Sequence, residues 1–284
     1  MVEKPEELVD SKQSLFEHLA ELRKRIIYSV LAFVIAMSVS FYISRPIFNF
    51  MARPICDALN DQGRACELIF TGPQTGFVVA LSISMFGGFI LAFPVIAFQL
   101  WRFVAPGLYK QEKNAVLPFL LASPALFFIG AGFAYYVVLP MAFDFFLGYQ
   151  QFGPEGEAIA QDGPSTIGIS FLGTIDQYLG LTMKFVIAFG LCFQLPVLLT
   201  LMGKAGLVSS EALGRTRRYA IVGIMIFAAV ATPPDVVSQL ILFAVIYPLY
   251  ELSIQLVKLV EKKREAQLKA EGYYDDEAAP EQAK

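Results

Sequence analysis

The sequence is poor in the residues that carry most enzyme chemistry. It has one histidine, one tryptophan and three cysteines in 284 residues. With His18 alone, every motif that needs two histidines is excluded, HExxH among them, and neither a Walker A pattern nor a serine–histidine pair is present. The cysteines form no metal-ligand pattern. Cys192 lies in an apolar run and reads as a packing residue. Cys56 and Cys66 share one loop, ten residues apart, and could be bonded if that loop faces an oxidising compartment. Charge is scarce too: 17% of the residues are charged, against roughly 25% in ordinary soluble domains. We expect no cofactor, no metal, no catalytic centre and no nucleic-acid partner.

What is abundant is apolar surface. Hydrophobic residues make up 56% of the chain, with 26 Phe and 21 Gly, and the mean hydropathy is +0.57. That balance belongs to an all-α integral membrane protein. Apolar runs fall at 26–43, 77–100, 116–139, 178–202, 219–231 and 236–250. A bilayer core of roughly 30 Å needs about 20 helical residues. The first four runs reach or approach that length, while the fifth and sixth are short. Those two either thin the membrane or extend into polar flanks, or they form a hairpin that dips in and returns. The first 25 residues are polar, and no small-residue cleavage pattern follows the first run, so that run is expected to stay as an anchor.

Lysine and arginine set the orientation. Segment 1–25, loops 101–115 and 203–218 and the segment from 251 onward hold 18 of them. Loops 44–76, 140–177 and 232–235 hold three, Arg45, Arg53 and Arg64, and Lys184 falls inside a run. The positive-inside rule then predicts six crossings with both termini in the cytoplasm. The expected plan is an amphipathic segment 1–25, a membrane domain 26–257 with external caps at 44–76 and 140–177, and a charged tail 258–284.

Ionisable or amide side chains within a span are expensive and become functional candidates. Lys184 has a stem long enough to snorkel to the interface. Gln194, in "FGLCFQLPV", calls for a hydrogen bond from its own subunit or from a partner's helix. Asp235, after Pro233 and Pro234, suits the cap of the last helix. On the cytoplasmic side, Ser14 and Glu17 form a capping box that predicts a helix start. His18, Glu21 and Arg25 share one face of that helix. The simplest account of Glu21 is an i,i+4 pair with Arg25, worth about 0.3–0.5 kcal/mol. Glu112 stands among Arg102, Lys110 and Lys113 in the loop "WRFVAPGLYKQEKN" and reads most simply as a solvated surface acid. Two carboxylates beside membrane-level apolar surface would also suit a ligand with a guanidinium followed by a hydrophobic helix.

The segments "HLAELRKR", "FVAPGLYKQE", "FAYYVVLPMAFDFF", "FGLCFQLPV", "RRYAIVG" and "ATPPDVVSQ", in that order, resemble the TatC family of the twin-arginine protein translocase. The resemblance runs from about Phe16 to Ile254. It implies a cytoplasmic-face receptor for the twin-arginine signal peptides of folded cargo, and with no transit peptide before the first run a bacterial cytoplasmic membrane is expected. Such a protein works in an oligomeric complex with single-span TatA- and TatB-type partners and draws on the proton-motive force. It implies signal-peptide contacts at Glu21, Arg23, Phe103 and Glu112, and a link to transport competence at Pro54 and Asp235. One position departs from the pattern: where the family often has Glu in the fourth span, this chain has Gln194. An amide does not titrate, so partner contact rather than proton relay is expected there. A proton-coupled small-solute transporter is the competing reading, but no internal repeat supports it.

Overall fold

A computed structural model describes residues 5–61, 63, 65–104, 117–148, 173–231 and 236–270, with the backbone alone at 5–17, 104, 117–118 and 267–270. Within those residues the chain is almost wholly helical. The elements are α1 (Pro5–Tyr42), α2 (Ser44–Asp61), α3 (Thr75–Val104), α4 (Leu117–Phe133), a π-helical turn (Ala134–Val138), α5 (Leu139–Gly148), α6 (Ile175–Cys192), α7 (Leu195–Lys204), α8 (Ser210–Arg215), α9 (Arg217–Ala231) and α10 (Val236–Ala270). Five helical stretches are long and apolar enough to cross a membrane: His18–Tyr42, Thr75–Phe103, Phe119–Gly148, Ile175–Lys204 and Val236–Ala266. The all-α membrane class is thus established.

Several boundaries differ from expectation. The capping box at Ser14 does not open the first helix, because α1 already runs from Pro5. Proline suits a first helical position, and acids follow it directly in the sequence, an order that itself favours a helix start. The loop expected from 140 does not begin there, since "LPMAFDFFLG" continues as α5 to Gly148 and buries Leu139, Ala142, Phe143 and Leu147. Loop 44–76 contains the 18-residue amphipathic α2, with Pro54 inside it. The fifth run is short as read, a helix of 15 residues. The sixth run is short only in its apolar part, because α10 continues through the charged segment for 35 residues in all.

The chain divides into two compact units, residues 1–125 with 132–186, and residues 126–131 with 187–284. In the first unit α1 lies along α3. Their backbones meet at Gly88, where a Cβ would stand 2.7 Å from Met37 Cα, and neighbouring Gly87 faces Ser40. Small residues permit this approach, which lets van der Waals packing hold helices together in lipid. Outward from that seam α1 is apolar and open, with Ile27, Leu31, Val34 and Ile35 all about half exposed, as a lipid-facing helix requires. Beyond the helices, Leu68–Ile69 pairs in parallel with Gly173–Thr174, tying the loop after α2 to the start of α6.

Proline 54 explains how α2 is held. Its missing N–H leaves the Phe50 carbonyl without a helical donor, and the Tyr135 hydroxyl donates to that carbonyl at 2.5 Å. Tyr178 donates to the neighbouring Met51 carbonyl at 2.5 Å, and the Phe50 ring stacks on Tyr135 with centroids 4.4 Å apart. Two tyrosines from later helices therefore repair and anchor the interrupted ladder. Tyr135→Phe should cost about 1–3 kcal/mol by orphaning the carbonyl. In a Pro54→Ala background, where the substitution restores the backbone N–H, the same change should cost much less. A double-mutant cycle by thermal unfolding in detergent reads this coupling; additive effects would refute the repair.

In the second unit α7 ends in a Schellman turn. Gly206 takes φ +72°, and the Leu207 N–H donates to the Met202 carbonyl at 3.0 Å. Ser209 then caps α8, accepting from the Ala212 N–H at 3.2 Å. Glu261 of α10 accepts from the backbone and the hydroxyl of Ser210, and Tyr250 donates to the Leu213 carbonyl at 2.8 Å. Arg217 pairs with Glu251 at 2.8 Å. The short helix α8 is held to the long α10 by polar bonds where little apolar surface is available.

Candidate functional site

Glu21, Arg25 and His18 of α1 and Gln99 and Phe103 of α3 gather at one end of the pair. Arg25 is the hub. Its Nη2 donates to Glu21 Oε1 at 2.9 Å, and its Nη1 donates to Gln99 Oε1 on α3 at 3.0 Å. About two turns before Arg25, the His18 ring stacks on Phe103 with centroids 4.4 Å apart and planes 22° from parallel. Two contacts from α1 therefore reach α3 through a helix end, which fixes the direction of the Glu21 side chain.

The arrangement leaves capacity unused. Arg25 is 18% exposed in its side chain and Glu21 34%. Arg25 Nε is buried with no hydrogen-bond partner among the described residues. A carboxylate offers about four lone-pair sites, and Arg25 takes one of them here. Glu21 is thus both anchored and open to a second cation. Trp101 is buried on the same helix end, and Arg102 lies over the Phe98 ring at 5.8 Å, so the surroundings are aromatic and of interfacial character.

Not every expected residue joins this cluster. Glu21 and Phe103 are brought to one place. Arg23 is exposed and lies two residues from Glu21, on a different face of α1. Glu112 and Asp235 lie outside the described residues. Gln99 was missed by sequence reasoning, although an amide within "FPVIAFQLW" is the same signal that singled out Gln194. Gln194 occupies the break between α6 and α7: its N–H donates to Leu191 at 3.0 Å, and its carbonyl accepts from Leu198 at 2.9 Å. Pro196 follows within the first turn of α7, which accounts for the break, since proline cannot continue the preceding ladder. Pro54 is buried in α2, and Cys56 and Cys66 are disulfide-bonded with Cα atoms 5.0 Å apart.

A family model for TatC, the Sec-independent protein translocase protein, matches residues 17–244. The chain belongs to the TatC family. It is 41% identical over 263 residues to a Sec-independent protein translocase protein TatC of Magnetococcus marinus, covering 93% of this chain and 90% of that one. The corresponding protein of Aquifex aeolicus is 37% identical, covering 90% of this chain and 99% of its own length. The one from Escherichia coli is 35% identical, over 87% and 88%. A crystal structure of the twin-arginine translocase receptor TatC superposes with a TM-score of 0.72 at 38% identity, covering 86% of this chain and 99% of that one. This TatC-type chain is accordingly a membrane component of the Sec-independent, twin-arginine protein translocase. The α1–α3 cluster lies inside the matched region, which begins at Glu17.

Proposed function

We propose that the end of the α1–α3 seam is where a twin-arginine signal peptide docks. The observation that carries this reading is Glu21: Arg25 and Gln99 orient it, yet a third of its side chain stays exposed. An incoming guanidinium takes the carboxylate oxygen that Arg25 leaves, and Glu112 serves the second arginine. Bidentate geometry favours arginine over lysine. At the membrane edge the lower local dielectric strengthens these pairs beyond surface ion-pair values. The His18–Phe103 stack gives the segment after the arginines an aromatic wall, and Arg23 contributes from the neighbouring face. The hydrophobic part of the peptide then continues along the apolar helix surface.

This reading places both termini and the seam's polar end in the cytoplasm of a bacterial inner-membrane protein. The six crossings, the amphipathic segment 1–25, the membrane domain 26–257 with its caps 44–76 and 140–177, and the tail 258–284 follow the basic-residue pattern. TatA- and TatB-type single-span partners assemble through helix packing in an oligomeric complex, with Gln194 at the break of the fourth span as a contact. Export of folded cargo then draws on the proton-motive force. Pro54 and Asp235 support transport, the former by shaping the external α2. The Cys56–Cys66 bond suits an oxidising external side. Thiol titration of unreduced, denatured protein should find one reactive cysteine, rising to three with reductant.

Photo-crosslinking tests the docking site. A crosslinker at position 21 or 112 should capture a twin-arginine precursor, and one at position 60 in α2 should not. Capture should disappear when the paired arginines of the precursor become lysines. Capture that is indifferent to that change would overturn the reading.

A further inference from the structure

On the opposite side of the first unit, α2 and α3 enclose a groove of about 460 Å³, within the roughly 300–1,000 Å³ of small-ligand sites. Its mouth is polar, with Ser44, Arg45 and Asn49 on the first turns of α2. Its wall is apolar, running down α3 from Gly76 through Val79 and Ala80 to Ile83. From Thr75, where α3 begins, to Ile83 the helix descends about 12 Å at 1.5 Å per residue. Thr75 also opens the candidate membrane span Thr75–Phe103, so the groove runs along the first two turns of that span. Aromatic residues mark its start: Tyr42 is 91% exposed, Phe77 66% and Phe70, which lines the mouth, 59%.

Charge decides what fits. Arg45 is exposed and makes no ion pair or hydrogen bond among the described residues. A chain molecule without an acidic head would leave the guanidinium without a partner, a zwitterionic phospholipid would bring a second cation beside it, and a free phosphate would leave the apolar wall wet. One molecule satisfies both ends.

We propose that this groove seats one anionic phospholipid, with its phosphate on Arg45 and Asn49 and an acyl chain against α3. Arginine matches a phosphate by two parallel N–H···O bonds, and the amide and hydroxyl at the mouth complete the donor set. The lipid fills the space between the amphipathic α2 and the span beneath it. It thereby supports α2 on the face that Tyr135 and Tyr178 do not reach. The leaflet involved follows from the orientation proposed above; the binding itself does not depend on it.

The test uses the purified full chain in detergent, with bound lipid read by the mass of the intact protein. Phosphatidylglycerol and phosphatidylcholine with the same acyl chains are added separately. One phosphatidylglycerol per chain should be retained, at roughly five-fold lower lipid concentration than phosphatidylcholine needs, the factor expected for one interfacial arginine. Arg45→Gln should abolish the preference, and Arg218→Gln on α9 should leave it intact. Ala80→Leu should lower retention of both lipids by filling the wall. Equal retention of the two lipids by the unaltered chain would overturn the proposal. So would a preference that survives Arg45→Gln, or one that Arg218→Gln removes equally well, since either result means diffuse attraction to scattered basic residues rather than a site at Arg45.

Discussion

Glu21→Ala is expected to weaken binding of a twin-arginine peptide roughly 10- to 100-fold, the loss of one charge-assisted hydrogen-bonded contact of about 1.5–3 kcal/mol. Isothermal titration in detergent measures it, and Glu21→Gln should fall between, since the amide keeps the shape and loses the charge. The competing account assigns Glu21 to Arg25 alone. On that account the substitution would leave peptide affinity unchanged and cost only about 0.3–0.5 kcal/mol of stability, the value of an i,i+4 pair. The two accounts differ by roughly tenfold or more in affinity, so a single titration separates them. Adding Glu112→Ala should deepen the loss, because a second arginine then has no carboxylate. Arg25 sharpens the expectation further. With Glu21 gone it keeps Gln99 at 3.0 Å, but its buried Nε still lacks a partner among the described residues. Arg25→Gln in the Glu21→Ala background should recover some stability without recovering peptide binding.

Gly88→Ala should destabilise the first unit by about 3 kcal/mol, near the upper end for overpacking. The added Cβ would meet Met37 Cα at 2.7 Å and Met37 N at 2.8 Å. These are backbone atoms, which no rotamer change can move aside, so α1 and α3 must separate. Gly132→Ala is the matched control: nothing stands within 4 Å of its Cβ, and alanine there should stabilise the helix by about 0.5–1 kcal/mol. Thermal unfolding in detergent distinguishes the two. The Gly88 change should also reach the docking site, because Arg25–Gln99 and His18–Phe103 both bridge the helices that it forces apart. Peptide affinity should therefore fall with stability in Gly88→Ala and hold in Gly132→Ala. Retained affinity in the former would mean that the cluster does not depend on the close seam.

How much of this was legible beforehand varies by residue. The membrane class, the apolar runs and the resemblance to TatC were open to reading because hydropathy and motif order are linear properties of the chain. Helix ends were less so. The capping box at Ser14 is a sound local signal, but Pro5 with its following acids is another, and only the backbone decides which one operates. Glu21, His18 and Arg25 could be placed on one helical face by spacing alone. Their partners on α3 could not, because Gln99 is 74 residues from Arg25 and nothing local links them.

Pro54 shows the same division. The sequence establishes that a proline stands there and that its nitrogen cannot donate. That Tyr135 would supply the missing donor across 85 residues is a fact of packing. By itself the sequence determined what each segment is made of: which runs enter lipid, where charge is withheld, and which backbone positions lose a donor or tolerate close approach. Tertiary structure alone decided which segments meet. Pairing at long separation depends on how whole helices pack, and that geometry turns an acid beside Arg25 into an oriented, part-exposed carboxylate and sets Arg45 at the mouth of a groove between α2 and α3.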